Sequence, residues 1–300
     1  MSFRDFASLT RNIQKQSVKT IVIAAAEDAY ALAALKDLQA QVSIRCFLVG
    51  NRQKIIQICE QLDFEIDEAN IIHATNEVES ATKAVSLVKE GKADILMKGK
   101  IHTSTLLKAV LNKESGIQSG SGLISHLTVL ECPTYHKLMF LSDAAINPKP
   151  DLNQKRAILQ NAVAFMHKLG YQEPNVAALT AVETVSEKMP ETIDAAKLAK
   201  QNQTGEITGC HVEGPISFDL AISHEAAEAK GFSSKLVGET DLFLMPNIST
   251  GNIMTKALLY LGGAKMAGCV LGVTAPIVLT SRGATAEEKL LSILLAMAAQ

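Results

Sequence analysis

The feature that most constrains this chain is the alternation of short, β-branched apolar runs with longer amphipathic stretches. Thr20-Ile21-Val22-Ile23-Ala24-Ala25, Val42 to Val49, Asn70-Ile71-Ile72-His73 and Asp94-Ile95-Leu96-Met97 read as strands. Helical patterns follow them: Glu27 to Gln39, a stretch after Gly50-Asn51 to Leu62, Glu77 to Glu90 and Thr103 to Asn112. Short apolar runs separated by helices of roughly ten to fifteen residues read as βαβ units on a parallel sheet. Trp is absent and aromatics make up 4% of the chain, so the core is built from Ala, Val, Ile and Leu. Such a core favours helices packed on parallel sheet over an all-β sandwich.

The Gly- and Ser-rich stretch from Gly116 to Gly122 breaks this rhythm and reads as a crossover between domains. Beyond it, Leu123 to Glu131 and Lys137 to Leu141 read as neighbouring strands joined by a turn at Pro133. Asp151 to Leu169 reads as a helix stopped by Gly170, and Glu191 to Gln201 as one opened by Pro190. Strands are expected at Asn175 to Glu183, Gly209 to Glu213, Asp241 to Met245 and Gly268 to Leu271. Helical stretches are expected at Phe218 to Ala229 and Gly251 to Leu261, with a tight turn at Glu213 to Asp219. The last helix, Ala286 to Ala299, has the first domain to cover. The expected fold is therefore α/β with mainly parallel sheets in two domains, 1–122 plus 280–300 and an inserted 123–279.

Composition narrows the function classes. A net charge of −2 without a basic, aromatic-rich run argues against nucleic-acid binding. The five cysteines are scattered and none forms a CxxC pair, which fits buried thiols in a reducing cytosol. No apolar run of transmembrane length and no signal-peptide core is present, so a cytoplasmic, non-membrane protein is expected. The histidines lack metal-ligand spacing, and no metal site is expected.

The candidate chemistry lies at strand-to-helix junctions. In an open parallel sheet, ligands sit at the carboxyl ends of strands, where helix N-termini offer free N–H groups to anions. Pro276-Ile277-Val278-Leu279-Thr280-Ser281-Arg282-Gly283 is such a junction, with a hydroxyl, a guanidinium suited to bidentate phosphate contact and a glycine for the turn. Met97-Lys98-Gly99-Lys100-Ile101-His102-Thr103 is a second, without Walker A spacing. Pro246-Asn247-Ile248-Ser249-Thr250-Gly251-Asn252, with Lys256 one turn later, is a third. Taken singly, each fits equally well a capped, solvated turn or an anion site.

Together with Gly214-Pro215…Asp219 and Ser142-Asp143-Ala144-Ala145-Ile146-Asn147-Pro148, these motifs resemble the phosphate acyltransferase family, the phosphotransacetylases and phosphotransbutyrylases. The resemblance runs over nearly the whole chain. It implies two α/β domains with the active-site cleft between them, an architecture like that of isocitrate and isopropylmalate dehydrogenases, and usually a homodimer. Ala93-Asp94-Ile95-Leu96-Met97-Lys98-Gly99, Ala181-Val182-Glu183…Lys188-Met189 and Leu279-Thr280-Ser281-Arg282 are closer to the butyryl type. The implied reaction converts butanoyl-CoA and phosphate to butanoyl phosphate and CoA by direct transfer. Coenzyme A and phosphate are substrates, no cofactor is bound, and branched short acyl groups are further candidates. The resemblance places Ser281 on the oxyanion, Arg282 on phosphate and Glu288 as general base. Lys98, Gly99, Thr103, Lys108, Gly251, Asn252 and Lys256 are implied phosphate or CoA contacts. The alternatives are an acetyl-specific enzyme, a metal- and NAD(P)-dependent decarboxylating dehydrogenase of related architecture, and a non-catalytic CoA- or nucleotide-binding relative.

Overall fold

The computed structural model describes residues 3–13, 18–119, 122–281 and 283–300. It divides into two compact units: Leu9–Gly122 with Ala267–Ala298 and Gln300, and Met1–Ser8 with Leu123–Met266 and Ala299.

After helix α1 (Phe6–Ile13), the first unit alternates strand and helix. The elements are β1 (Lys19–Ala24), α2 (Ala29–Gln39), β2 (Ile44–Gly50), α3 (Arg52–Gln61), β3 (Ile71–His73), α4 (Glu77–Lys89), β4 (Ile95–Lys98) and α5 (Thr103–Val110). Asp28, Asn51 and Asn76 cap α2, α3 and α4 by accepting backbone N–H bonds. Each is a short polar residue just ahead of an apolar stripe, where the first N–H groups lack partners. Ile21, Ile23, Leu48, Ile95 and Leu96 are fully buried, so the central strands are apolar on both faces, as a sheet covered by helices requires.

The second unit holds β5 (Ser125–Glu131), β6 (Met139–Ser142), α6 (Leu152–Lys168), β7 (Asn175–Leu179), α7 (Pro190–Gln203), β8 (His211–Ile216), α8 (Phe218–Ile222), α9 (His224–Ala229), β9 (Leu242–Leu244) and α10 (Ile248–Tyr260). Its strand order is β5-β6-β9-β7-β8, antiparallel between β5 and β6 and parallel beyond. The chain then continues through β10 (Lys265–Leu271), β11 (Ile277–Val278) and α11 (Ala286–Ala298). In the first unit the order is β3-β2-β1-β4-β11-β10, parallel except for β10 against β11. That pairing, Val270 opposite Ile277, ties the two strands together. Residues 267–279 therefore group with the first unit, whereas the sequence had suggested a return at 280. Helix α11 packs on α2 and over β4 and β11.

Three local expectations change. Gly214 and Pro215 lie inside β8 rather than in a turn. β8 ends its sheet in this unit, where a proline without an N–H removes no ladder bond. A Cβ on Gly214 would come within 2.8 Å of the Ala178 Cβ, so β8 approaches β7 closely there. β7 stops at Leu179 instead of Glu183. The helical stretch 218–229 breaks at Ser223, which is extended and caps α9 through its side chain.

All five cysteines are free and buried. Burial pushes the Cys46, Cys132 and Cys210 thiols up to about 11, which leaves them protonated and unreactive. No helix among the described residues is long and apolar enough to cross a membrane.

Candidate active site

The register decides where chemistry can gather. Ala24 of β1 lies opposite Lys98 of β4, and Met97 of β4 opposite Val278 of β11. The carboxyl ends of three adjacent parallel strands therefore release their loops side by side, toward the N-termini of α2, α5 and α11. A cavity of about 590 Å³ opens there. Glu27, Asp28, Ala29 and Tyr30 line it from the β1–α2 junction, and Lys98, Gly99, Lys100, Ile101 and His102 from the β4–α5 junction. Glu77 of α4, Ser281 and Lys289 of α11 complete it.

The loops are joined through backbone. The Gly99 N–H donates to the Ala24 carbonyl at 2.9 Å and the Lys100 N–H to the Ala25 carbonyl at 2.8 Å. A Cβ on Gly99 would lie 2.2 Å from the Ala25 carbonyl oxygen, so the position requires glycine. Ala25 holds φ at 55°, a left-handed conformation costing about 1–2 kcal/mol for a residue with a Cβ. Its N–H donates to the buried Ser80 hydroxyl at 2.6 Å.

Charge is concentrated in the walls. Lys98 is 5% exposed, and its Nζ donates to the Gly99 carbonyl at 3.3 Å. Lys289 is buried and donates to Asp28 Oδ2 at 3.3 Å and Thr280 Oγ1 at 3.1 Å. Asp28 also accepts the Ala31 N–H at 3.1 Å, so one carboxylate caps α2 and anchors α11. Glu27 Oε1 accepts the Asn51 N–H at 2.8 Å. Its Oε2 is buried against Gly50 and has no hydrogen-bond partner among the described residues. At the rim, Glu77 accepts both from the His102 backbone N–H at 3.1 Å and from the His102 ring, with Nδ1 2.9 Å from Oε2.

Lys98, Gly99 and Ser281 thus meet in one cavity. Arg282 lies outside the described residues. Glu288 stands in the first turn of α11, but its carboxylate accepts the Thr285 N–H at 3.1 Å while the Thr285 hydroxyl accepts the Glu288 N–H at 3.1 Å. This reciprocal pair is a capping box. Gly283 has open space where a Cβ would stand. Thr103 and Lys108 are exposed on α5 and lie outside the cavity lining.

Gly251, Asn252 and Lys256 belong to the second unit. The helix there begins at Ile248, capped by Asn247, so Gly251 lies inside its first turn rather than opening it. A Cβ on Gly251 would stand 3.0 Å from the Ala144 Cα, and Asn252 Nδ2 donates to the Ala144 carbonyl at 3.3 Å. Lys256 is exposed. Among the described residues no group of three His, Cys, Asp or Glu side chains is arranged to hold a metal.

Sequence reading alone passed over Asp28, Lys289 and the Glu77–His102 pair. His102 sat inside a quoted motif, and Glu77 opened an expected helix. Nothing local linked the members of either pair, because Glu77 and His102 are 25 residues apart and Asp28 and Lys289 are 261 apart.

The family model described as Phosphate acetyl/butaryl transferase matches residues 73–297. Phosphate butyryltransferase of Clostridium acetobutylicum is 40% identical over 293 residues, 98% of this chain and 97% of that protein. Phosphate acetyltransferase of Rickettsia felis is 40% identical over 280 residues, covering 93% of this chain and 80% of that protein. The crystal structure of a branched-chain phosphotransacylase from Enterococcus faecalis V583 superposes with a TM-score of 0.82 at 31% identity, over 94% of this chain and 99% of that one.

Proposed function

Because the chain belongs to the phosphate acetyl/butaryl transferase family, we propose that it is a phosphate butyryltransferase, converting butanoyl-CoA and phosphate to butanoyl phosphate and CoA. The observation that carries this reading is likeness to a butyryltransferase over nearly the full length of both chains, combined with one cavity that holds Ser281 beside buried Lys98. A phosphate oxygen attacks the thioester carbonyl carbon, the C–S bond breaks, and CoA leaves and takes up a proton. In reverse, the thiol loses its proton and displaces phosphate. Charge builds on the carbonyl oxygen in both directions. Ser281 donates to that oxygen, and Arg282 together with Lys98 neutralises the phosphate. Gly99 lets the β4–α5 loop lie against Ala24 and Ala25, which sets the cavity wall. No covalent acyl-enzyme and no bound cofactor enter the scheme, since two substrates held together react directly.

Branched short acyl groups are further substrates under this reading, supported by the likeness to the branched-chain enzyme. An acetyl preference is the second reading, favoured by equal identity to the Rickettsia felis acetyltransferase. Each methylene in an acyl pocket discriminates by roughly 1–3 kcal/mol, so the choice is measurable. We also propose a cytoplasmic homodimer. Ile253 and Tyr260, seven residues apart on one side of α10, and Leu261 at its C-cap support the dimer, being 68%, 77% and 89% exposed.

The test is phosphate-dependent release of free CoA thiol from butanoyl-CoA, run beside isobutanoyl-CoA and acetyl-CoA. Release with butanoyl-CoA well above acetyl-CoA is expected. A preference for acetyl-CoA establishes the second reading, and no phosphate-dependent release from any of them removes both.

A further inference from the structure

Resting on the acyl-transfer reading above, we propose that Lys289 is a positioning residue for Ser281. Through Thr280 and Asp28 it braces the segment that presents the Ser281 hydroxyl to the carbonyl oxygen.

The need for a brace follows from how that segment leaves the sheet. β11 is two residues long, and its pairing with β4 ends at Val278 opposite Met97. Ser281 comes three residues later and is exposed. Its hydroxyl makes no hydrogen bond to any described residue. The side chain therefore has no contact of its own to orient it, and the backbone on either side must do so. After Ser281, the Ala284 N–H donates to the Ser281 carbonyl at 3.2 Å and closes a turn. Before it stands Thr280, buried, whose hydroxyl accepts from Lys289 Nζ at 3.1 Å.

Lys289 is itself held. Its backbone N–H donates to the Thr285 carbonyl at 3.1 Å, at the start of α11, and that helix packs on α2. Nζ also donates to Asp28 Oδ2 at 3.3 Å, while Asp28 Oδ1 accepts the Ala31 N–H at 3.1 Å and caps α2. A buried ammonium is costly unless paired and hydrogen-bonded, which keeps Nζ at these two oxygens. The contacts thus run from the start of α2, through Asp28 and Lys289, to the residue that precedes Ser281. A donor to a developing oxyanion works because it is in place before the charge appears. A misplacement of about 1 Å can cost about 100-fold in rate. Lys289 touches no reacting atom in this scheme and acts through Thr280.

The experiment is a double-mutant cycle, read as kcat and KM for butanoyl-CoA at saturating phosphate, with Tm measured for each variant. The variants are Thr280→Val, Thr280→Ser, Lys289→Met and Ser281→Ala, plus Thr280→Val and Lys289→Met each combined with Ser281→Ala. Thr280→Val keeps the side-chain shape and the Lys289–Asp28 pair but removes the acceptor, and it carries the test if Lys289→Met does not fold. It should lower kcat by about 10- to 100-fold and leave KM for butanoyl-CoA unchanged, because the lost interaction belongs to the transition state. Thr280→Ser, which keeps the hydroxyl, should restore most of that loss. Ser281→Ala should lower kcat by about 100- to 1,000-fold. In the Ser281→Ala background, Thr280→Val and Lys289→Met should add little, because changes that act through one group are not additive. A Thr280→Val loss as large in that background as alone, a Thr280→Val variant with full kcat, or a Thr280→Ser variant as impaired as Thr280→Val each overturns the proposal. So does full turnover in Ser281→Ala, which removes the role that the brace serves. Wild type without turnover of any acyl substrate removes the acyl-transfer reading itself. Wild-type turnover with additive losses removes this inference alone.

Discussion

Two buried lysine–aspartate pairs, one in each unit, show how similar residues serve different ends. In the second unit Lys137 donates to Asp241 Oδ1 and to the Glu239 carbonyl, both at 2.8 Å. The other Asp241 oxygen accepts the Asn175 N–H at 2.9 Å. Both side chains are under a tenth exposed, and their bonds tie β6, β7 and β9 together at the amino ends of the strands. In the first unit Lys289 meets Asp28 at 3.3 Å, at the carboxyl ends, in the wall of the cavity. Its second partner is a hydroxyl one residue before Ser281. The saturated pair is framework. The looser one lines the cavity wall.

The contrast is sharpest in Lys137→Met, which strips the cation from a buried Asp241. Breaking a buried pair from one side costs about 3–5 kcal/mol, so a large fall in urea-unfolding free energy is expected, with turnover per folded molecule unchanged. Lost turnover in well-folded protein would place this pair in the function. Lys289→Met should cost less, about 1–3 kcal/mol, because Asp28 keeps the Ala31 N–H and faces the cavity. Its larger effect should fall on phosphate-dependent turnover, read as kcat and KM for phosphate. A variant as destabilised as Lys137→Met but with unchanged kinetics would erase the distinction. The smallest effect is expected from Thr285→Ala, which removes one half of the α11 cap and should cost about 1 kcal/mol, seen as a modest drop in Tm. Because Lys289 sits just inside that cap, Thr285→Ala should also raise KM for phosphate slightly, and an unchanged KM would show that the cap does not steer Lys289.

A second contrast explains which motifs carry chemistry. Asp143, in a quoted motif of the second unit, is 2% exposed and accepts from the His126, Ala145 and Ile146 N–H groups and from Asn147 Nδ2. Its lone pairs are consumed in shaping a loop. Glu27, which no motif marked, lines the cavity with one buried oxygen unpartnered among the described residues. A motif signals that a residue type is needed, and only its hydrogen-bond inventory tells whether the need is for shape or for reaction.

The sequence by itself determined the βαβ alternation, the position of nearly every strand end, and the polar junctions Lys98-Gly99 and Thr280-Ser281. Those features depend on side-chain periodicity and capping within a few residues, so local composition specifies them. It misjudged Gly214-Pro215, because a strand at the end of its sheet tolerates the residues that elsewhere make turns. The family resemblance gave Glu288 a catalytic role, and in the structure its carboxylate bonds the Thr285 N–H at the start of α11. Tertiary structure decided the rest. Placing β11 beside β4, and β4 beside β1, brings Ser281, Lys98 and Asp28 to one rim. Packing α11 on α2 delivers Lys289 to Asp28, and packing α4 beside α5 delivers Glu77 to His102. Strand order and helix pairing arise from burying apolar faces against distant partners. No periodicity within a window of the chain carries that information, so the cavity appears only once the sheet is assembled.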